Sequence, residues 1–238
     1  MPIRAVLWDI DDTLFDFGSA SDAGIRRHLE AEPATRYIAP DEALRVWREI
    51  TDAQWLRFTA GETDFQGQRR ARVRVFLGAE LSDAEADAWF DRYHVHFRAA
   101  WALFPDSVTA LDALAGEYRQ AALSNSSTPV QEERLRALGV RDRFEALLCA
   151  AELGVEKPDP AAFHAACDAL ELDPGEVAYV GNEPDIDAAG ASAAGLTGIW
   201  LDRAGIGGRP DLVRITDLGQ LPGALRAVTR FGGLSTFR

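Results

Sequence analysis

The feature that most constrains this chain is an alternation of apolar runs with segments of helix length. Residues 3 to 9, Ile-Arg-Ala-Val-Leu-Trp-Asp, are almost continuously apolar, the pattern of a parallel strand covered on both faces. Arg119 to Ser124, Phe144 to Ala150, Val177 to Gly181 and Gly198 to Leu201 repeat it. Between them lie Ser107 to Gly116, Pro129 to Leu138, Pro160 to Leu170 and Ile186 to Ala194, each long enough for a helix. This repetition predicts an α/β fold, a doubly wound parallel sheet whose active site lies where the strands end.

Residues 17–104 break the alternation. They offer four helix-like segments, about Ser19 to Glu32, Pro40 to Thr59, Phe65 to Leu77 and Asp83 to Ala102, and no convincing strand. Ala60-Gly61, Gly78 and the Ser82 cap position separate these segments. With 238 residues, the chain has room for one core carrying a sizeable insertion. The expected division is a core of 1–16 and 105–238 and an inserted α-helical domain of 17–104. The last ten residues read as a loose tail.

A formal charge of −13 argues against nucleic acid as a partner. The acidic excess lies mostly outside 17–104, so the core needs local cations wherever it handles an anionic substrate. No apolar run approaches the roughly 20 residues of a membrane span. The start of the chain shows no basic region followed by an apolar stretch and cleavage site, and Cys149 and Cys167 look like small buried residues, so a cytoplasmic protein is expected. Its oligomeric state stays open between monomer and homodimer.

Chemistry-bearing residues cluster at the predicted strand ends. The first strand runs into Asp9-Ile10-Asp11-Asp12-Thr13, three carboxylates that repel unless a cation joins them. In an extended segment Asp9 and Asp11 point the same way, so one can attack phosphorus while the other handles protons. The second strand ends in Ser124-Asn125-Ser126-Ser127, donors for phosphoryl oxygens or an ordinary loop. After the third comes Glu156-Lys157-Pro158, with the only lysine among 25 basic residues. A compact, rotatable ammonium suits a phosphoryl oxygen and a carboxylate. The fourth runs into Gly181-Asn182-Glu183-Pro184-Asp185-Ile186-Asp187, hard oxygen donors suited to Mg²⁺ or a helix start enriched in acids.

Together these clusters resemble the four motifs of the haloacid dehalogenase (HAD) superfamily, in order and each at a strand end. The insert after the first motif resembles the helical cap of one subclass. The resemblance implies a Rossmann-like core in which Asp9 is the nucleophile and Asp11 the acid/base, while Ser124 and Lys157 bind phosphoryl oxygens. Asn125 is a further candidate for phosphate contact. Mg²⁺ would be held by the Asp9 side chain, the Asp11 backbone carbonyl and a fourth-motif residue. That motif usually has Asp directly after its glycine, and here it is Asn182, so Asn182, Asp187 and Asp185 compete for the third position. The reaction implied is hydrolysis of a small phosphate monoester, such as a sugar phosphate or a nucleoside monophosphate, through a phosphoaspartyl intermediate. A 2-haloacid dehalogenase would use the same scaffold and nucleophile, but displacing halide needs neither an acid at position 11 nor Mg²⁺. A catalytically weak regulatory or binding protein is the reading that Asn182 keeps open.

In the insert, Arg69 and Arg72 fall on the side of Phe65, Val73, Phe76 and Leu77, whereas Arg70 and Arg74 point away. Arginine on an apolar face either snorkels or meets an anion, so Arg69 and Arg72 are substrate-facing candidates. Trp47, Trp55, Trp89 and Trp101 read as insert core. His94 and His96, two apart on a helix, are not a metal pair.

Overall fold

The computed structural model describes residues 2–32 and 39–231. The chain divides into two compact units, Met1–Asp16 with Ala102–Arg238, and Phe17–Trp101. In chain order, β1 (Ala5–Trp8) precedes the helices of the second unit, α1 (Phe17–Ala31), α2 (Pro40–Thr59), α3 (Phe65–Leu77) and α4 (Asp83–Ala99). The first unit resumes with α5 (Ser107–Leu114), β2 (Arg119–Ser124), α6 (Thr128–Ala137), β3 (Ala146–Cys149) and α7 (Ala150–Leu153). It ends with α8 (Pro160–Ala169), β4 (Val177–Gly181), α9 (Gly190–Ala193), β5 (Thr197–Leu201), β6 (Val213–Ile215) and α10 (Leu221–Phe231).

The strands form one parallel sheet in the order β3-β2-β1-β4-β5-β6. Trp8 is in register with Ala122 on one side and Val180 on the other. The chain winds outward from β1 to β3, then returns to β4 and winds the other way. That reversal puts the switch point between β1 and β4, where the carboxyl ends of doubly wound sheets leave a crevice. Strand alternation sends Ala5, Leu7, Ala121, Leu123, Val177 and Tyr179 into one apolar cluster with Phe163 and Cys167 of α8 and Ala191 of α9. On β2, buried Gln120 is satisfied at both ends: Trp8 Nε1 donates to its Oε1 (3.1 Å) and its Nε2 donates to Leu111 O of α5 (3.0 Å).

Three departures from the sequence reading have local causes. Leu103 and Phe104, expected in the insert, belong to the first unit: Leu103 bridges Phe15, and Phe104 N donates to Leu14 O at 2.9 Å. The helix expected over 186–194 is split into one turn of π-helix, Pro184–Ala189, and α9. β6 and α10 were not anticipated. β6 has three residues with exposed Arg214 in the middle, and α10 opens on Leu-Pro-Gly, turn-like in sequence although proline is tolerated in a first helical turn. Of the expected tail, 229–231 complete α10 and 232–238 lie outside the described residues. Both cysteines are free and buried. Among the described residues no helix is long and apolar enough to cross a membrane.

The helices of the second unit start and stop where their caps dictate. Asp64 accepts from Gly67 N at the start of α3, and left-handed Gly78 (φ 59°) ends it. Ser82 and Glu85 make a reciprocal capping box on α4. Gly24 of α1 lets α4 approach closely, since a Cβ there would lie 2.8 Å from Phe97 Cα. The core is aromatic: Trp47 meets Tyr93 (4.8 Å between ring centres), Phe76 (5.2 Å) and Trp89 (5.6 Å). Burial of each such side chain contributes roughly 1.5–3 kcal/mol. Trp55 packs on Phe58 and Trp101 on Phe97, both half-buried.

His28 sits inside this core, fully buried, with the Trp89 ring edge-on at 4.3 Å and, among the described residues, no hydrogen-bond partner for either ring nitrogen. Burial lowers its pKa to about 4; nearby Glu32 opposes the shift, and His96 and Arg92 add to it. Between that value and the ordinary 6.5, the unfolded chain takes up a proton that the folded chain refuses, so stability falls as pH falls through this window. Urea unfolding followed by tryptophan fluorescence should show His28 contributing about 2 kcal/mol of lost stability between about pH 7 and pH 5. His28→Phe should remove that share of the slope. An unchanged pH slope in the variant would show that His28 is not its source.

Candidate active site

Asp9 follows β1 directly, its backbone N donating to Val180 O of β4 at 2.9 Å, and strand alternation turns its side chain to the face of Leu7 and Tyr179. The chain then folds back tightly. Leu14 N and Phe15 N both donate to Ile10 O (3.0 and 2.9 Å), and Asp12 takes a left-handed conformation at φ 57°, which Asp tolerates better than most residues. This turn brings Thr13 Oγ1 to Asp9 Oδ2 as a donor at 2.8 Å.

Lys157 lies beneath Asp9 and is 4% exposed. Its ammonium donates to Asp9 Oδ1 (2.8 Å), Asp187 Oδ1 (2.7 Å) and the Tyr179 hydroxyl (2.6 Å). Three protons therefore meet three acceptors. Burial works against the charged lysine, yet Asp187 and Asp9 outweigh it and its pKa is pushed up. Burial also pushes the Asp9 carboxyl up to about 7, against the pull of Lys157 and with the help of Asp187 and Asp11. Burial is the largest cause, and the one ammonium, shared between two buried carboxylates, offsets it only in part. The Tyr179 hydroxyl is held far above its ordinary pKa by burial and by the same two acids.

Two residues expected to touch ligands make contacts with Lys157. Asp187 is 1% exposed; its Oδ1 meets Lys157 and lies 3.2 Å from the Tyr179 hydroxyl, and its Oδ2 accepts from Glu183 N at 2.9 Å. The π-helical turn thus delivers Asp187 to the lysine, whose ammonium it anchors. Asn125, expected on phosphate, exchanges two bonds with the Lys157 backbone: Nδ2 donates to Lys157 O (2.9 Å), and Lys157 N donates to Oδ1 (2.8 Å). Asp185 is largely exposed and pairs with Arg209.

Asn182 gathers oxygens. One terminal atom of its amide lies 3.3 Å from Asp9 Oδ2, 3.2 Å from Asp11 O and 3.3 Å from Thr13 Oγ1. With nitrogen in that place, the amide donates to its neighbours. With oxygen there, it completes a group of three oxygens, with Asp9 Oδ2 and Asp11 O, that a hard cation holds together. Trp200 Nε1 fixes this loop by donating to Asn182 O at 2.9 Å. Among the described residues no group of three His, Cys, Asp or Glu side chains could hold a metal ion; the oxygens here come from a carboxylate, an amide and a backbone carbonyl.

Asp11 and Ser124 are joined by residues that the sequence reading passed over. Arg134 Nη1 donates to Asp11 Oδ1, and Gln131 Nε2 donates to Asp11 Oδ2 (2.6 Å) and Ser124 Oγ (3.0 Å). Both come from one face of α6, three residues apart, and both are buried. The available signal was a pair of long polar residues on the helix after the Ser/Asn loop.

Within the helical unit, Arg70 and Arg74 point to Asp83 and Asp87. The Arg69 guanidinium lies over Phe65 (4.3 Å) and Phe90 (5.0 Å). Arg72, 7% exposed, lies over Trp47 (4.7 Å) and Phe90 (5.3 Å), and burial lowers its pKa. Its aliphatic stem and planar head fill the aromatic core, so the expected substrate contact gives way to packing.

Gly181 ties β4 to the lysine site, because a Cβ there would collide with the Asp187 carboxylate. Gly181→Ala should therefore destabilise the protein by about 1–3 kcal/mol, the usual scale of overpacking. In an Asp187→Gly background, which removes the Asp187 Cβ together with its carboxylate, the obstruction is gone and the added loss should shrink to a small fraction. Urea unfolding of the four proteins checks this, and fully additive losses would place the cost of a Cβ at Gly181 elsewhere.

Residues 3–195 match the haloacid dehalogenase-like hydrolase family. The chain is 34% identical over 232 residues to a phosphoserine phosphatase of Thermus thermophilus, an alignment covering 84% of this chain and 89% of that protein. It superposes on the HAD-hydrolase YfnB from Bacillus subtilis, solved bound to magnesium, with a TM-score of 0.79 and 19% identity over 94% of this chain and 99% of that one. A 2-haloacid dehalogenase from Pseudomonas syringae superposes with a TM-score of 0.66 and 28% identity over the same shares of the two chains, 94% and 99%. The family model thus spans most of a chain that carries strand-end acids and a buried lysine on a six-stranded parallel sheet, and the chain belongs to the haloacid dehalogenase-like hydrolase family.

Proposed function

We propose that this hydrolase is a Mg²⁺-dependent phosphatase, cleaving a small phosphate monoester such as a sugar phosphate or nucleoside monophosphate through a phosphoaspartyl intermediate on Asp9. The observation that carries the reading is the division of the Asp9 carboxylate. Its Oδ1 rests on the Lys157 ammonium at 2.8 Å, and its Oδ2 faces the oxygens around Asn182. The phosphatase activity named for the Thermus relative supports phosphate as the group transferred.

In this reading Asp9 Oδ1 attacks phosphorus and the bond to the alcohol oxygen breaks. Asp11 gives that oxygen a proton, then takes one from the water that cleaves the acyl phosphate. Lys157 neutralises charge on nucleophile and phosphoryl oxygens. Ser124 Oγ accepts from Gln131, which leaves its O–H to donate to the phosphoryl group. Asn125 and Asp187 hold Lys157 in place. The donor set of Asp9 Oδ2, Asp11 O and Asn182 Oδ1 fits a hard cation. Bound there, Mg²⁺ supplies a Lewis acid that offsets charge on the phosphoryl oxygens. The helical unit acts as a cap that selects the leaving group, with Arg69 as its candidate contact.

Hydrolysis of an aryl phosphate should require Mg²⁺, and Asp9→Asn should lower kcat by something on the order of 10⁶-fold, the scale reached when a nucleophile is removed. Mass spectrometry of acid-quenched enzyme should find the phosphoryl group on the Asp9 peptide. Turnover by Asp9→Asn without metal would overturn the reading, and metal-free halide release from a 2-haloacid would replace it with dehalogenation.

Asn182→Asp should place a carboxylate among the oxygens of Asp9 and Asp11. Without Mg²⁺ the added like charge should lower Tm; with Mg²⁺ the variant should gain more stability than the parent and reach half-maximal binding at a lower metal concentration. Calorimetric titration checks this directly. Equal Mg²⁺ affinity in the two proteins would remove Asn182 from the ion's ligands.

A further inference from the structure

We propose that Gln131 and Arg134 of α6 are positioning residues for Asp11, holding its carboxylate in register with the phosphate-binding Ser124. The inference rests on the acid/base role read for Asp11 above. Arg134 is 4% exposed and Gln131 fully buried, and a guanidinium withdrawn from water needs an opposite charge beside it. Arg134 Nη1 donates to Asp11 Oδ1 and also to Gln131 Oε1 at 3.2 Å. Its flat face lies 4.4 Å from the centre of the Phe15 ring, and the Phe15 backbone closes the turn that carries Asp11: Asp12 N donates to Phe15 O at 2.7 Å. The arginine thus grips side chain and turn together. Gln131 supplies the second hold, its Nε2 shared between Asp11 Oδ2 and Ser124 Oγ.

Both Asp11 oxygens are therefore directed by α6, whereas its backbone carbonyl faces Asn182. A carboxylate left to rotate would still accept or give a proton, but from the wrong place for much of the time, and a misplacement of about 1 Å can cost 10²-fold in rate. The loss falls on the step that needs the proton. Alkyl phosphates, whose alcohols leave poorly without protonation, depend on Asp11 more than aryl phosphates do.

The test is steady-state kinetics with one alkyl and one aryl phosphate at saturating Mg²⁺, on Arg134→Leu, Arg134→Lys, Gln131→Leu, Asp11→Asn and the double variant Asp11→Asn/Arg134→Leu. Arg134→Leu should lower kcat for the alkyl substrate by about 10- to 100-fold and for the aryl substrate by less than about threefold, with KM nearly constant. Arg134→Lys should recover part of the alkyl loss, and Gln131→Leu should show a smaller loss of the same selectivity. The double variant should be no worse than Asp11→Asn, because a residue acting through Asp11 has nothing left to position. Should Arg134→Leu fail to fold by circular dichroism, Arg134→Lys and Gln131→Leu decide the matter by the same selectivity. Equal losses for both substrates in the α6 variants, with Asp11→Asn still selective, would overturn the positioning role alone. A loss in Asp11→Asn that ignores the leaving group would overturn the acid/base reading and this proposal with it.

Discussion

The buried ammonium of Lys157 is the interaction on which the rest of the site depends. Removing a lysine and two carboxylates from water costs several kcal/mol per ion, and the structure tolerates it only because every proton and lone pair is directed. That requirement explains otherwise unrelated features. Tyr179 interrupts an apolar strand with a hydroxyl that the ammonium needs. Gly181 stays bare so that the Asp187 carboxylate can lie against the backbone, and the π-helical turn carries that carboxylate to the ammonium. Asn125 pins the lysine by its own peptide group. In a chain whose other 24 basic residues are arginine, lysine persists here because three separate acceptors around a point charge suit a rotatable ammonium and not a planar fork.

One positive charge for two acids leaves Asp9 short of compensation against its burial, which lifts its carboxyl to about 7. A cation among the oxygens of Asp9, Asp11 and Asn182 would supply what Lys157 cannot, and would draw the carboxyl back toward the ionised form that attacks. The neutral Asn182 amide adds no charge of its own to this cluster. Its restraint is intelligible in a body with a net charge of −13, where another carboxylate beside Asp9 would deepen the imbalance whenever the ion is absent.

The fold was legible where one physical signal dominated. The strands of 119–124 and 177–181 and the helices of 40–59 and 65–77 have in the structure the bounds read from apolar periodicity and caps. β6 was hidden because an edge strand of three residues carries no period, and α10 because Pro222 and Gly223 sit at its start. In the site, residue type and strand-end position were enough to gather Asp9, Asp11, Ser124, Lys157 and Asn182. They could not say which acid turns toward a cation and which toward the lysine. Asp187 and Asn182 are five residues apart in one loop, and only the backbone path, through a π-turn invisible to helical periodicity, gives Asp187 to Lys157. Gln131 and Arg134 were missed for a different reason: on a helix containing Glu132, Glu133 and Arg136, two more polar residues look like solvent-facing ones until the sheet edge beneath them is known.

The loop from Asp9 to Phe15 shows how one short segment serves several partners. The strand fixes Asp9 by alternation, but the left-handed turn at Asp12 ends the extended geometry in which Asp9 and Asp11 would point the same way. Beyond it, the backbone of Asp11 and its side chain are used separately, the carbonyl beside Asn182 and the carboxylate on α6. The position of the carbonyl can therefore survive a change in the side chain, and the surroundings of the carboxylate can change without moving the oxygens beside Asn182. This division follows from the turn itself: a residue at a strand end has its carbonyl committed by the backbone direction, whereas its side chain goes to whichever element packs beside it. Here that element is α6, the helix launched from the Ser124 loop, so the Asp11 carboxylate and the Ser124 hydroxyl are both held by the same helix.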